Sequence, residues 1–314
     1  MTMPKFIDLL NDVKSVVDDF NQTTFDFVPT VEVPCIDDTD LTFGDGEEKK
    51  GKHIKTCVLY VDIRNSVEMV HRHSIEKMGK VYSAFTKSVQ MAAISHNGRI
   101  RNIIGDRVMV VFPKADCYKN AVDCAISINH LMKYVLNKKI YGMEFQCGIG
   151  IDCGDMYCIK VGMPKRGEER EDNRRLVWVG DPANHASRLT DFANKEYSEL
   201  KYKVLNHFRT LRREANQYFN PSQLTGVQCR EEIMTGDEAV NKILDGTSVH
   251  IQPINKIESY QYSPILISEN VYNGFRLACP YYNSIKNNWW KETGQKIRDI
   301  NFKVYGADLE WKLD

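Results

Sequence analysis

The sequence predicts an α+β fold, with helices covering one face of a mostly antiparallel sheet. From residue 56 onward, strand-like and helix-like runs follow each other in the order βαββαββα, which is typical of a single α+β sandwich. The apolar runs are short and separated by turn signals such as Gly105-Asp106. A chain of 314 residues is long enough to bury a large core.

The first 55 residues are predicted to be a helix followed by an arm. Apolar residues recur at helical spacing between Phe6 and Val17, which indicates an amphipathic helix over 5–20. Residues 21–55 are mixed in character and end in the polar run GDGEEKKGKH. This stretch indicates a linker or surface arm before the core.

The first half of the core, 56–193, begins with the strand TCVLYVDI. One long helix follows, with Ser66 as its candidate N-cap. A hairpin that turns at Gly105-Asp106 is predicted in RIRNIIGDRVMVVFP. A second helix is predicted in KADCYKNAVDCAISINHLMKYVLNKK. Two strands are predicted around Asp152-Cys153-Gly154 in FQCGIGIDCGDMYCIKVG, and a solvated loop is predicted in PKRGEEREDNRR. A strand, a turn and a helix are predicted in LVWVGDPANHASRLTDFANK.

Residues 194–262 are predicted to be an insertion of unknown role. An amphipathic stripe runs through Leu200, Val204, Phe208 and Leu211 at helical spacing, and SVHIQPI has the pattern of a strand. The core pattern resumes over 263–314, where FKVYGADLEWKL predicts a terminal strand.

Composition argues against several classes of protein. Lys plus Arg and Asp plus Glu both number 42, so the formal net charge is zero and nothing indicates a nucleic-acid or anionic-membrane partner. No apolar run approaches the roughly 20 residues of a membrane span. The nine cysteines lie in apolar segments, which favours reduced thiols in a cytoplasmic protein.

Two aspartates stand where two strands end. Asp62 closes YVD, and Asp106 lies in the tip of the following hairpin. If these strands are neighbours, the carboxylates meet, and they repel each other unless a cation lies between them. A site for Mg²⁺ or Mn²⁺ is one interpretation; a helix-capping acid and a turn residue are the other.

VGDPANHASRL holds a second pair of polar residues, Asn184 and Arg188. They are four residues apart, so a helix places them on one face. Arg188 offers a planar fork suited to phosphate, and Asn184 could orient a sugar oxygen. A solvated helix face is the alternative.

Together these motifs resemble the class III nucleotidyl cyclases. The matching stretches, in the order found in that family, are LYVDIRNSVEM, NGRIRNIIGDRVMVVF, CGIGIDCGDMYCIKVG, VGDPANHASRL and PILISENVY. The resemblance implies a ferredoxin-like core, a nucleoside triphosphate substrate and a head-to-tail homodimer with active sites at its interface.

The resemblance also implies residue roles. Two divalent ions, Mg²⁺ or Mn²⁺, would be held by Asp62, Asp106 and the carbonyl of Ile63, while Asn184 and Arg188 would come from the other protomer. Backbone amides at the start of the following helix would bind phosphate oxygens. These amides belong to Arg64, Asn65 and Ser66.

Three positions depart from the purine cyclases of the family. The two base-reading positions hold Asn102 and Val177, and a valine makes no side-chain hydrogen bond. The position of the triphosphate lysine falls near Glu310. Lys312, two residues on and on the same face of the predicted terminal strand, is the nearest substitute. The features that select a purine are therefore missing.

Tyr60 stands where the family usually has Phe in the base pocket, on the same strand face as Asp62. A larger aromatic with a polar tip would shrink that pocket, although a buried core tyrosine is the simpler interpretation. The pattern resembles the pyrimidine cyclases of bacterial Pycsar anti-phage defence, and implies CTP, slightly favoured, or UTP as substrate. A purine cyclase with unusual base contacts and a catalytically silent domain are the alternatives.

Overall fold

A computed structural model describes residues 3–42, 48–142, 144–162, 174–209, 227–244, 249–294 and 297–312. The chain divides into two compact units. The first is Met1–Lys195 with Tyr262–Asp314, and the second is Glu196–Gln261. No helix in the described ranges is both long and apolar enough to span a bilayer.

The N-terminal region contributes more to the sheet than the sequence indicated. Helix α1, Met3–Gln22, matches the predicted helix. Strand β1, Phe25–Pro29, pairs in parallel with the start of β2, Lys49–Ile63. The prediction of a linker or arm up to residue 55 was therefore wrong, because the polar run at 49–55 is stabilised by pairing with strands on both sides.

The helix after β2 is broken in two. Helix α2, Ser66–Arg72, follows Asn65, which adopts a left-handed conformation as N-cap, so Ser66 is not the cap. Ser74 then caps α3, Ile75–Ser95. The predicted hairpin is present as β3, Arg99–Ile104, and β4, Arg107–Val111.

The second long helix begins as α4, Cys117–Leu131, and passes through a π-helical turn, Met132–Leu136, into the short α5, Asn137–Lys139. A single strand, β5, Cys147–Val161, replaces the two predicted around Asp152. Strand β6 is Arg175–Val179, and α6 is Asp181–Phe192. Most of the predicted loop PKRGEEREDNRR lies outside the described residues.

The last part of the first unit returns to the sheet. It consists of β10, Ile265–Ser268, α8, Glu269–Ala278, α9, Asn283–Lys286, β11, Lys291–Glu292, and β12, Val304–Ala307. The predicted terminal strand is shorter than expected, and the backbone carbonyl of Leu309 accepts a hydrogen bond from the Asn129 side chain of α4 instead of from a strand.

The large sheet has the order β11-β12-β10-β5-β2-β4-β3, with β1 beside β2 and β6 beside β5. Of its pairs, β1 with β2 and β10 with β5 are parallel and the rest antiparallel. One face packs on α3, α4 and α8 through the main core, whereas α6 packs on the other face through Ala183 and Ala186. The predicted α+β class is confirmed. The prediction that the helices cover one face of the sheet has one exception among the described helices, because α6 lies on the other face.

The second unit contains β7, Glu196–Arg209, β8, Val227–Thr235, α7, Gly236–Leu244, and β9, Val249–Gln261. Its strands form an antiparallel sheet in the order β8-β7-β9. The strand predicted at SVHIQPI is present in β9. The prediction that Leu200, Val204 and Phe208 form a stripe along a helix was wrong, since these residues lie in the strand β7. The fourth residue of that stripe, Leu211, lies outside the described residues.

Candidate active site

Asp62 lies at the end of β2, on the sheet face that α6 covers. Its side chain is 16% exposed and receives a hydrogen bond from Nη2 of Arg107 at 2.9 Å. Nη1 of Arg64 lies 3.6 Å from the same oxygen, Oδ2. Two guanidinium groups therefore offset the charge of a largely buried carboxylate.

Asp106 is close enough to Asp62 for the two carboxyl groups to interact. Burial raises the pKa of Asp106, and so does the charge of Asp62, while a hydrogen bond from Ser66 opposes the shift. Its Oδ2 is buried and has no hydrogen-bond partner among the described residues. The predicted meeting of the two carboxylates is therefore seen, because β2 and β4 are antiparallel neighbours.

Arg107 is a site residue that the sequence interpretation missed. Besides Asp62, its guanidinium contacts Oδ1 of Asp191 at 2.5 Å and the Ser187 hydroxyl at 2.9 Å, both on α6. Burial disfavours its charge, but the hydrogen bonds to Asp191 and Asp62 outweigh that cost and raise the pKa of Arg107. The only signal in the sequence is a cation directly after the turn aspartate.

Arg64 has a structural role that corrects its predicted role in phosphate binding. Its backbone N–H donates to the carbonyl of Gln146 at 2.8 Å, so that amide is already used. The buried guanidinium donates from Nε to the Ala193 carbonyl at 2.8 Å and from Nη2 to the Thr190 carbonyl at the end of α6. Burial lowers the pKa of Arg64, partly offset by Asp62.

The neighbouring Asn65 and Ser66 remain candidates for phosphate contacts. Asn65 is exposed and makes no side-chain capping hydrogen bond, and Ser66 begins α2. Among the described residues, Ser66 interacts with the Asp106 carboxyl.

Helix α6 approaches the sheet closely because β5 carries glycine beneath it. A Cβ on Gly150 would lie 2.3 Å from the Ala186 carbonyl oxygen and 2.5 Å from the Thr190 amide nitrogen. His185 also ties α6 to β5 through Nδ1, 2.9 Å from Oδ2 of the buried Asp152.

Asn184 and Arg188 lie on the outer side of α6. Asn184 is exposed, and Nη2 of the partly exposed Arg188 lies 3.1 Å from Oδ2 of Asp299. No described contact joins either residue to Asp62 or Asp106 within the same chain. The structure therefore brings the two aspartates together, and no described contact joins Asn184 or Arg188 to that pair.

Tyr60 and Asn102 stand in one row across the sheet. Tyr60 pairs with Met109 of β4, which pairs in turn with Asn102 of β3, so all three side chains leave the same face. Two strand spacings, about 9–10 Å, separate the ends of the row. Tyr60 packs against the smaller core cluster, and burial raises the pKa of its hydroxyl.

The two remaining predicted residues lie farther along the chain from this row. Val177 is on β6, paired with Ile159 in the second half of β5, and is exposed. Lys312 is exposed and lies beyond the end of β12, so the prediction that it shares a strand face with Glu310 was wrong. Glu310 instead accepts a hydrogen bond from Tyr134 at 2.8 Å.

Residues 48–235 match the model of the adenylate and guanylate cyclase catalytic domain. This chain belongs to that family. The matched range contains the aspartate pair, the row through Tyr60, and the outer face of α6.

Curated relatives include two proteins named uridylate cyclase. The one from Burkholderia cepacia is 28% identical over 60% of this chain and 79% of its own length. The one from Gulbenkiania mobilis is 28% identical over 62% of this chain and 75% of its own. A protein named cytidylate cyclase, from Staphylococcus aureus, is 29% identical over 35% of this chain and 28% of its own.

Among solved structures, the adenylyl cyclase CyaB from P. aeruginosa is similar, with a TM-score of 0.48 and 15% identity. The similarity covers 81% of this chain and 94% of that one. The guanylate cyclase domain of RhGC from Catenaria anguillulae in complex with GTP has a TM-score of 0.46 and 15% identity, covering 80% and 94%.

Class III cyclases use divalent metal ions, and the aspartate pair fits such an ion. Asp106 offers a buried oxygen without a partner, and both guanidinium contacts of Asp62 go to the single oxygen Oδ2. All-oxygen ligands suit Mg²⁺ or Mn²⁺. Within the described ranges no group of three or more Asp, Glu, His or Cys side chains could hold a metal, so a carbonyl such as that of Ile63 would be needed to complete the set.

Proposed function

We propose that this chain is a pyrimidine nucleotide cyclase, which converts CTP or UTP into the 3′,5′-cyclic monophosphate and pyrophosphate. The observation that carries the proposal is the paired carboxylates of Asp62 and Asp106, with an unpartnered buried oxygen, in a chain of the cyclase family. A pair of this kind holds a divalent cation because the cation relieves the repulsion between the carboxylates.

Selection of a pyrimidine is supported by the residues around Tyr60. A tyrosine in the base pocket narrows it, and Asn102, in the same cross-strand row, offers both a hydrogen-bond donor and an acceptor. Val177 provides no polar contact to a purine edge. The relatives named uridylate cyclase and cytidylate cyclase point to the same class of base.

In the proposed reaction the ribose 3′-oxygen forms a bond to the α-phosphorus while the bond from that phosphorus to the bridging oxygen of pyrophosphate breaks. The proton of the 3′-hydroxyl passes to water or to a substrate phosphate. Metal ions bound at the aspartates would lower the pKa of that hydroxyl and neutralise charge on the triphosphate. Asp62, Asp106 and the carbonyl of Ile63 would hold these ions.

The other residues position the substrate and offset its charge. Arg188 would offset charge that develops at the α-phosphorus, and Asn184 would hold the ribose so that its 3′-oxygen is in line. The amides of Asn65 and Ser66 would bind phosphate oxygens. Arg107 would balance the charge of Asp62 before substrate arrives.

We place Asn184 and Arg188 in the active site of a second copy of the chain. Asn184 is exposed and Arg188 partly exposed on α6, and neither makes a described contact with the aspartates of its own chain. A head-to-tail homodimer would bring each pair to the aspartates of the other copy and form two complete sites. The product would act as a second messenger in anti-phage defence, a role proposed from the resemblance to Pycsar cyclases.

A four-nucleotide assay tests this function. Purified protein with Mn²⁺ is incubated separately with ATP, GTP, CTP and UTP, and the products are identified by mass spectrometry. We expect a 3′,5′-cyclic monophosphate from CTP or UTP, and none from Asp62→Ala. Product from ATP or GTP alone would overturn the proposal.

One observation favours a catalytically silent domain instead. Nη2 of Arg107 lies 2.9 Å from Oδ2 of Asp62, so a guanidinium already offsets the charge that a metal ion would otherwise offset. On that alternative no nucleotide is cyclised, and addition of Mn²⁺ leaves the thermal midpoint unchanged.

A further inference from the structure

Helix α1 carries a continuous apolar face that the described part of its own chain leaves exposed. Five of its residues recur at steps of four, three, four and three, which is the heptad spacing of a helix that packs against another helix. They are 41–53% exposed and are Phe6, Leu10, Val13, Val17 and Phe20. We call this set the α1 seam.

The seam is widened on one side by Leu9 and Val16, which are also exposed. Together the seven residues span about a third of the helix circumference at 100° per residue. Apolar stripes of this width face a core or a partner helix in folded proteins. A contiguous exposed apolar face of this kind marks a recognition surface.

Among the residues that the structure describes, the side-chain contacts to α1 from the rest of the chain lie in its last turn. Lys49, at the start of β2, forms an ion pair with Asp19 at 3.0 Å and lies 5.0 Å from the centre of the Phe20 ring. Every residue from Lys5 to Asp18 is exposed. The helix is thus anchored at its C-terminal end, and most of the seam is free to meet a partner.

The charge of α1 argues against a membrane as that partner. The helix holds two lysines and four aspartates, a net charge of −2. Helices that lie on anionic membranes carry Lys and Arg along their polar face. An acidic helix would be repelled by such a surface.

The same charges suit pairing with an identical helix. In heptad terms with Leu10 and Val17 at position a, no charged residue falls at a or d. Lys14 is the single charge beside the seam, at position e, and its counterpart at g is apolar. The acidic residues lie on the outer side, so two copies can pair without bringing like charges into the contact.

We propose that the α1 seam packs against the α1 seam of a second copy of this chain. A helix about 30 Å long cannot provide by itself the roughly 800 Å² per partner of a standard interface. The pairing would therefore add to the larger contact of the cyclase homodimer, and in this respect it rests on the proposed function.

Photo-crosslinking tests directly whether the α1 seam contacts α1 of a second copy. Benzoylphenylalanine replaces Val13 in the full-length protein, and light and ¹⁵N-labelled copies are mixed so that crosslinks between copies carry both isotopes. We expect mixed-isotope crosslinks within residues 3–22. The same probe at Ser15, on the polar side, should give few. Crosslinks at position 13 confined to one chain, or reaching only residues outside 3–22 of the other copy, would overturn the inference.

A dissociation measurement provides the second readout. Leu10→Asp with Val17→Asp should raise the Kd of the homodimer at least tenfold in sedimentation, whereas Ser15→Asp should leave it unchanged. Both altered side chains are exposed, so the fold should be retained. An unchanged Kd in the double variant would overturn the pairing. Neither readout uses activity, so a chain that pairs through α1 but cyclises nothing would sink the proposed function alone.

Discussion

Arg107 joins Asp62 to Asp191, with its Nη2 atom 2.9 Å from Oδ2 of the first and 2.5 Å from Oδ1 of the second. The two carboxylates belong to β2 and to α6, so one guanidinium connects the strand that carries Asp62 to the helix that carries Asn184 and Arg188. The same contact places a cation beside the Asp62 carboxylate at the end of an apolar strand.

Arg107→Met should therefore destabilise the metal-free protein by about 1–3 kcal/mol, because Asp62 loses its nearer cation in a largely buried position. Mn²⁺ should restore more of the thermal midpoint in the variant than in wild type, since the ion no longer competes with a guanidinium for Asp62. Thermal unfolding with and without Mn²⁺ measures both effects. Arg99→Met, at an exposed arginine of β3, is the control, and an equal response to Mn²⁺ in wild type and Arg107→Met would contradict the competition.

Asp106→Asn should stabilise the metal-free protein at pH 7 while reducing turnover at least about a hundredfold, as expected when a metal ligand is lost. Burial and the nearby Asp62 raise the pKa of Asp106, so its ionised form costs stability once the pH exceeds the folded-state pKa. The advantage of the amide should shrink as the pH falls toward 3.8, the ordinary value. Urea unfolding midpoints of the wild-type and Asp106→Asn proteins, measured between pH 4 and pH 7, give this difference in stability.

Asp37→Asn, at an exposed carboxylate, serves as the comparison for Asp106→Asn and should keep full activity. A metal-free Asp106→Asn protein that is less stable than wild type at pH 7 would show that the carboxylate is not under strain.

Gly150→Ala should lower stability by about 1–3 kcal/mol and reduce kcat, because the added methyl meets backbone atoms of α6 at 2.3 and 2.5 Å. The helix would have to move, and Asn184 and Arg188 would move with it. Gly79→Ala on α3 is a matched control, since its methyl would meet no atom within 4 Å. Urea unfolding and CTP or UTP turnover are measured for both variants, and unchanged turnover in Gly150→Ala would show that the position of α6 is not critical.

The aspartate pair could be predicted from the sequence because it depends on local features. Helices α2 and α3 and strand β3 separate Asp62 from Asp106, and the pairing of β2 with β4 follows from that order. The contacts of Arg107 could not be predicted from the sequence. Asp191 is 84 residues away and Ser187 is 80 residues away, and both come close only because α6 crosses the sheet.

The wrong secondary-structure predictions have similar causes. Asp152-Cys153-Gly154 has turn chemistry, yet β5 continues through it, since all three residues pair with β2 and the Asp152 carboxylate is bound by His185. In β7 the spacing of four between Leu200, Val204 and Phe208 is also a multiple of two. That stripe fits a strand as well as a helix, and pairing with β8 and β9 decides the outcome.

Tyr60→Leu should increase the turnover of purine nucleotides relative to pyrimidine nucleotides, because it enlarges the pocket and removes a polar tip. Metal affinity should be unchanged, as the substitution leaves Asp62 and Asp106 in place. Competition between CTP or UTP and ATP or GTP in one reaction measures the ratio, and Tyr82→Leu on α3 provides a comparison on another element. An unaltered preference would assign Tyr60 to the core alone.

Two inactive variants should restore activity to each other if each site is built from two copies. Asp62→Ala lacks a metal ligand and Arg188→Ala lacks the phosphate contact, so each homodimer should be inactive. A mixed dimer has one site with both defects and one site with none. If copies exchange at random, half the dimers are mixed, and turnover should return to about one quarter of the wild-type value.

The exposed ion pair of Arg188 with Asp299 should not prevent this exchange, because such pairs contribute little stability. A mixture of Asp62→Ala with Asp106→Ala is the control and should stay inactive, since both changes remove ligands contributed by the same copy: each mixed dimer then has one defect in each site. Equal recovery in both mixtures, or recovery in neither, would contradict the assignment of Arg188 to the partner's site.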